Sequence, residues 1–119
     1  MKTNNVLRDK SYAFALKIIH LHHVLVEQKE FDMGRQLLKS GTSIGANVEE
    51  AIGSYSEKEF VYKLGIAYRE ARETHYWLRL LIDSNIIPSN AHNQMKEDVE
   101  ELLRIIGSIQ VTIKRKQNP

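Results

Sequence analysis

From about Ser11 to Arg115, apolar residues return every three or four positions, the spacing that lines one face of an α-helix. Between Ser11 and Gln28 two such stripes run side by side. One is Phe14, Ile18, Leu21 and Leu25; the other is Tyr12, Leu16, Ile19, His23 and Val26. A single stripe is enough to seat a helix in a bundle, so the pair leaves apolar surface to spare.

Three further helices follow from capping and periodicity. Asp32 is a good N-cap and opens a helix over about 33–54. The stretch "SEKE" sets Ser56 and Glu59 in a capping-box relation. It opens a third helix over about 57–84, with Phe60, Leu64, Ala67, Ala71, Leu78 and Leu81 as its core stripe. Asn85 suits the end of that helix, and Pro88 bars its continuation. A fourth helix covers about 90–115. Its seam is Met95, Val99, Leu102, Ile106, Ile109 and Ile113, a heptad pattern interrupted by Gly107. Alternation with period two is missing, so no strand is expected. Helices of this length reach ~37 Å, and the joints at 29–32, 55–56 and 85–89 are short. The pattern predicts one all-α domain over residues 1–119, an up-down-up-down antiparallel four-helix bundle with helices at about 11–28, 33–54, 57–84 and 90–115.

The second helix contains "SIGANVEEA", where Ser, Gly and Asn stand in place of strong helix formers. On a helical wheel Leu37, Gly41, Ile44, Val48, Ala51 and Ile52 form an apolar arc, and Arg35, Lys39 and Glu49 a charged one. Between them run Gln36, Ser40, Ser43, Asn47, Glu50 and Ser54, mostly small and uncharged. Such a strip suits a partly buried contact in which another backbone comes close, helped by Gly41 and Gly45. Folding the third helix back across a turn at 55–56 puts Asn47 beside Leu64 and Ser43 beside Tyr68. The Tyr68 hydroxyl, with Arg69 or Arg72, is then the expected partner of the strip. The alternative is an ordinary solvated flank.

Composition narrows the class. Hydrophobic residues are 42% and charged residues 27%, the balance of a globular chain. Cysteine is absent, which excludes disulfides, thiolate metal sites and a cysteine nucleophile. The N-terminal residues lack the pattern of a signal peptide, and no apolar run approaches the ~20 residues of a membrane span. A cytoplasmic location without membrane contact is expected. The net charge of +2 permits contact with phosphate backbones without requiring it.

Candidate chemistry is sparse. His20, His23 and Glu27 share one face, an incomplete ligand set for zinc; His75 and His92 are isolated. The paired Glu-x-x-His motifs of di-iron bundles are missing. No Ser–His–Asp order surrounds Ser43, and no phosphate-cradling glycine loop occurs. No metal, cofactor or enzymatic activity is expected. On the third helix Lys58, Tyr62, Arg69, Arg72, Tyr76 and Arg79 interleave cations and aromatics along one side, and Lys114, Arg115 and Lys116 add charge at the C-terminal end. That stripe suits a phosphate backbone; salt bridging to Glu50, Glu70 and Glu73 is the other possibility.

"QLLKSGTSIGANVEEAIGS" followed by "EFVYKLGIAYREARETHYWLRLL" resembles the bacterial 23S rRNA intervening-sequence proteins over roughly residues 8–113. The resemblance is densest at Gln36, Leu37, Ser43, Ile44, Asn47, Val48, Glu50, Phe60, Leu64, Ala67, Glu73, Tyr76, Trp77 and Leu78. It implies an up-down four-helix bundle that assembles as a ring-like homo-oligomer, a homopentamer. A related branch, the accessory protein of diversity-generating retroelements, binds a reverse transcriptase and nucleic acid through a basic surface. The expectation is therefore a non-enzymatic nucleic-acid-binding accessory, with a copy of itself, RNA or DNA, or a nucleic-acid enzyme as partners. The alternative is a protein–protein scaffold that ignores nucleic acid.

Overall fold

The computed structural model describes residues 2–118, with side chains from Asn4 onward. It holds four helices: α1 (Lys2–Glu27), α2 (Phe31–Ile52), α3 (Glu57–Asp83) and α4 (Ser89–Gln117). They pack side by side into a rod of 50 × 22 × 21 Å. Helix α1 touches α2 and α4, and α3 touches the same two, so the four close a square around one core.

The inward stripe of α1 is Phe14, Ile18, Leu21 and Leu25, extended backwards by Ser11 and Leu7. Helix α1 therefore starts well before Ser11. Asn4, Asn5 and Asp9 are poor helix formers, but burial of Leu7 holds that turn, so packing outweighs propensity. The parallel stripe stays in solvent: Tyr12 is 64% exposed and Leu16 46%.

Helix α2 also begins earlier than the sequence implies. Glu30 is its N-cap, without a side-chain cap bond, and Asp32 lies in the first turn. There its carboxylate faces the positive helix end and accepts from Arg35 at 2.7 Å. Helix α3 follows expectation, with the Ser56 hydroxyl accepting from the Glu59 amide at 3.1 Å.

Two helix ends share one geometry. Lys29 and Asn85 both have left-handed backbone, φ 63° and 62°. At each, the next amide reaches back five residues: Glu30 to Leu25 at 2.8 Å, Ile86 to Leu81 at 3.0 Å. The left-handed residue itself bonds three back, Lys29 to Val26 and Asn85 to Ile82, completing a Schellman motif. Asn tolerates this conformation; Lys does so only under the pull of the packed helices.

Two glycines of α2, Gly41 and Gly45, face α1. A Cβ on Gly41 would lie 2.7–2.8 Å from three side-chain carbons of Ile18, and one on Gly45 would lie 3.4 Å from the Ser11 carbonyl oxygen. Glycine is required at position 41 because α1 comes too close for any side chain.

The register of α2 against α3 differs from the expected one. Ser40 meets Thr74, and Glu50 meets Lys63, so Ser43 is level with residues near 70, not with Tyr68. The connection spans residues 53–56, not 55–56, and α3 is displaced along α2 by two to three residues from the expected register. The Tyr68 ring turns to the α4 side, where a Cβ on Gly107 would be 3.9 Å from its Cε2.

Candidate nucleic-acid interface

The polar strip of α2 divides along its length. Ser40 is fully buried; Ser43, Asn47 and Ser54 are half-buried; Gln36 and Glu50 are exposed. Most of the strip is satisfied by its own helix. Ser43 donates to the Lys39 carbonyl at 2.6 Å, Asn47 to the Ser43 carbonyl at 2.8 Å, and Ser54 to the Glu50 carbonyl at 3.0 Å. Two members reach α3. Thr74 Oγ1 lies 3.0 Å from Ser40 Oγ and 2.7 Å from the Glu70 carbonyl, and Lys63 Nζ donates to Glu50 at 2.8 Å. The bond to Glu50 raises the Lys63 pKa above the ordinary lysine value. Tyr68, Arg69 and Arg72 supply none of these bonds, which corrects the partner expected from sequence. Thr74 occupies a core step between Ala71 and Leu78, and that position in the apolar stripe was the available signal.

The outer face of α3 is a different surface. Leu64, Ala67, Ala71, Thr74, Leu78 and Leu81 point inward, which turns Lys58, Tyr62, Arg69, Arg72, Tyr76 and Arg79 into solvent. Tyr62 is 64% exposed and Tyr76 47%. Among the described residues none of these four cations lies in an ion pair, and two of the three expected carboxylate partners, Glu50 and Glu73, are engaged elsewhere. Glu50 holds Lys63, and Glu73 accepts from the Trp77 indole at 3.0 Å. Glu70 has its carboxyl pushed above the usual range, by burial first and by Glu73 next, with Lys39 and Arg69 opposing.

Around Tyr76 the strip widens into an open groove of about 530 Å³ lined by Arg72, Glu73, His75, Tyr76 and Arg79. The Arg79 guanidinium sits over the Tyr76 ring, 5.8 Å from its centre, and Trp77 meets Tyr76 edge-on at 5.2 Å. His75 is tied to Glu100 of α4 at 2.9 Å, which anchors the floor. At the other end Gln117 donates to Glu57 at 3.0 Å and brings the end of α4 against the start of α3. Lys114, Arg115 and Lys116 thus adjoin the end that carries Lys58, and they also oppose the negative end of the α4 dipole.

Sequence reasoning passed over Gly65. It falls on the same strip, between Tyr62 and Arg69, and a Cβ added there meets nothing within 4 Å.

His20 and His23 are exposed on α1, as is Glu27. Among the described residues no group of three or more histidine, cysteine or carboxylate side chains is gathered to hold a metal. No helix of the described residues is long and apolar enough to cross a membrane.

Comparison with curated proteins gave no match. Among solved structures, the chain is similar to a protein of unknown function from the S23 ribosomal protein family of Bacteroides thetaiotaomicron. The two are 46% identical with a TM-score of 0.88, over 91% of this chain and 97% of that one. The family described as 23S rRNA-intervening sequence protein matches residues 3–108, and with its four-helix bundle and the α2–α3 signature this chain belongs to that family.

Proposed function

We propose that this protein is a non-enzymatic, nucleic-acid-binding accessory that works as a ring-like homo-oligomer of up-down-up-down antiparallel bundles, a pentamer by family resemblance. The observation that carries the binding role is the outer face of α3, where Lys58, Arg69, Arg72 and Arg79 have no ion-pair partner among the described residues and alternate with exposed tyrosines. Repeated around a ring, a stripe of four cations multiplies its field along a phosphate backbone despite a net charge of only +2 per chain. The antiparallel topology is supported by contacts that run in opposite sense: Lys10 meets Glu101 while Lys17 meets Asp98, and Ser40 meets Thr74 while Glu50 meets Lys63.

Self-association is supported by α1. Tyr12, Leu16, Ile19, His23 and Val26 follow alternating steps of four and three and all lie exposed, an unpartnered heptad seam. The same seam favours a second reading, a protein–protein scaffold without nucleic acid. A binding titration with RNA and DNA at two salt concentrations separates them. The accessory binds with an affinity that falls steeply with salt, and replacing Arg69, Arg72 and Arg79 by Gln flattens that slope. A scaffold shows no binding at physiological salt. Sedimentation as a monomer at micromolar concentration would overturn the ring.

A further inference from the structure

We infer that the α3 strip takes single-stranded nucleic acid rather than duplex, with unpaired bases lying on Tyr62 and Tyr76 and the backbone crossing α3 at Gly65; this rests on the nucleic-acid reading above. Three observations carry it. First, the strip is one helix wide. Lys58, Tyr62, Gly65, Arg69, Arg72, Tyr76 and Arg79 step by four and three along a single line of ~31 Å. Its flank toward α2 carries the carboxylates of Glu73, bonded to Trp77, and Glu50, paired with Lys63, and Lys39 stands near Glu70. A duplex carries two backbones and would press one of them onto these carboxylates, whereas a single strand follows the line of cations.

Second, the aromatic rings are available. Tyr62 is 64% and Tyr76 47% exposed. The Arg79 guanidinium over the Tyr76 ring makes a composite platform of the kind that stacks any base. Paired bases in a duplex offer no free face to such a platform. Third, Gly65 is not needed by the chain itself. A mid-helix glycine weakens its helix, and the surrounding 4 Å around its missing Cβ is empty. Gly41 and Gly45 repay that weakness by admitting α1; Gly65 admits nothing from the described residues, so its gap lies open between Tyr62 and Arg69.

The test is fluorescence anisotropy with labelled oligonucleotides of roughly 20 nucleotides, a few times the smallest single-strand site size. Unstructured U-rich RNA and T-rich DNA are compared with blunt duplexes of equal length. The full chain and the variants Gly65→Leu, Tyr62→Leu with Tyr76→Leu, and Arg69→Gln with Arg72→Gln are measured, each checked for helix content and melting. The expected result is single strands bound at least about tenfold tighter than duplex, with a loss of about tenfold or more in both the Tyr pair and Gly65→Leu. Tight binding to RNA and not DNA, or the reverse, identifies a sugar contact and still supports the inference. Equal binding of duplex, or full binding by folded Tyr and Gly65→Leu variants while the Arg variant loses it, overturns the single-strand inference and leaves the nucleic-acid reading standing. No binding of any oligonucleotide at low salt overturns both.

Discussion

Ile18 of α1 fills the space where a side chain on Gly41 of α2 would be, with three of its carbons 2.7–2.8 Å from the position of a Cβ. Ile18 is completely buried and branched at Cβ, so it has nowhere to swing. Gly41→Ala is expected to destabilise the fold by about 1–3 kcal/mol, despite alanine's better helix propensity. Denaturant unfolding measures it, and Ile18→Val in the same chain recovers part of the loss. A neutral or stabilising Gly41→Ala would mean that α1 and α2 are further apart.

Ser40 and Thr74 join α2 and α3 through two hydroxyls, both buried. Thr74 Oγ1 is within donating distance of both Ser40 Oγ and the Glu70 carbonyl, and Ser40 Oγ donates to the Leu37 carbonyl at 3.5 Å. Ser40→Ala keeps the Glu70 bond and removes the link between helices. It is expected to cost about 1 kcal/mol. Thermal or urea unfolding of Ser40→Ala, Thr74→Val and the double variant should show coupling, since each single change already breaks the same bond. Strictly additive effects would place the two hydroxyls out of reach of each other.

Lys29 adopts left-handed backbone at the end of α1, a conformation that suits glycine. Its amide bonds back to Val26 and the Glu30 amide back to Leu25, and glycine keeps both. Lys29→Gly should therefore raise stability by about 1 kcal/mol, whereas Asn85→Gly should change it less because Asn tolerates this region. A higher midpoint in urea with an unchanged slope confirms the effect.

Glu70 has its carboxyl raised above the ordinary range by burial and by Glu73. Ionising it therefore costs the folded state more than the unfolded one. The folded state is spared that cost below the ordinary glutamate value, where both states are protonated, and the stability is lost as pH rises through the raised pKa. Glu70→Gln is expected to stabilise slightly at about pH 7 and to do nothing near about pH 3. Unfolding at both pH values decides it; equal gains at the two would assign the effect to packing.

Much of the bundle was legible beforehand because its signals are local. The core steps of α3 and α4, the Ser56 cap and the Asn85 stop each depend on residues within one or two turns, and the structure keeps them. The start of α1 was not legible, since Asn5 and Asp9 speak against a helix and only the burial of Leu7 overrides them. The Lys29 turn was hidden for a related reason: lysine carries no left-handed preference, so the motif exists through its packed neighbours. In the candidate interface, the spacing of Lys58, Tyr62, Arg69, Arg72, Tyr76 and Arg79 was plain in the chain. That their carboxylate neighbours Glu50 and Glu73 are engaged elsewhere was not, because it depends on Lys63 and Trp77 reaching them first.

By itself the sequence determined four helices, their inward faces on α2, α3 and α4, and membership of a family, all properties written in three- and four-residue spacings. The tertiary structure decided which of two equally apolar stripes on α1 is core, why Gly41 is glycine, and which residue meets Ser40. These depend on where two distant segments come to rest against each other. The packed register of α3 against α2 differs by two to three residues from the one a tight turn implies, and with it goes the partner of every side chain along the seam. In "SIGANVEEA" only Gly45 serves the approach of α1, while Ser43 and Asn47 bond back to their own helix, a division that no local pattern in α2 can announce.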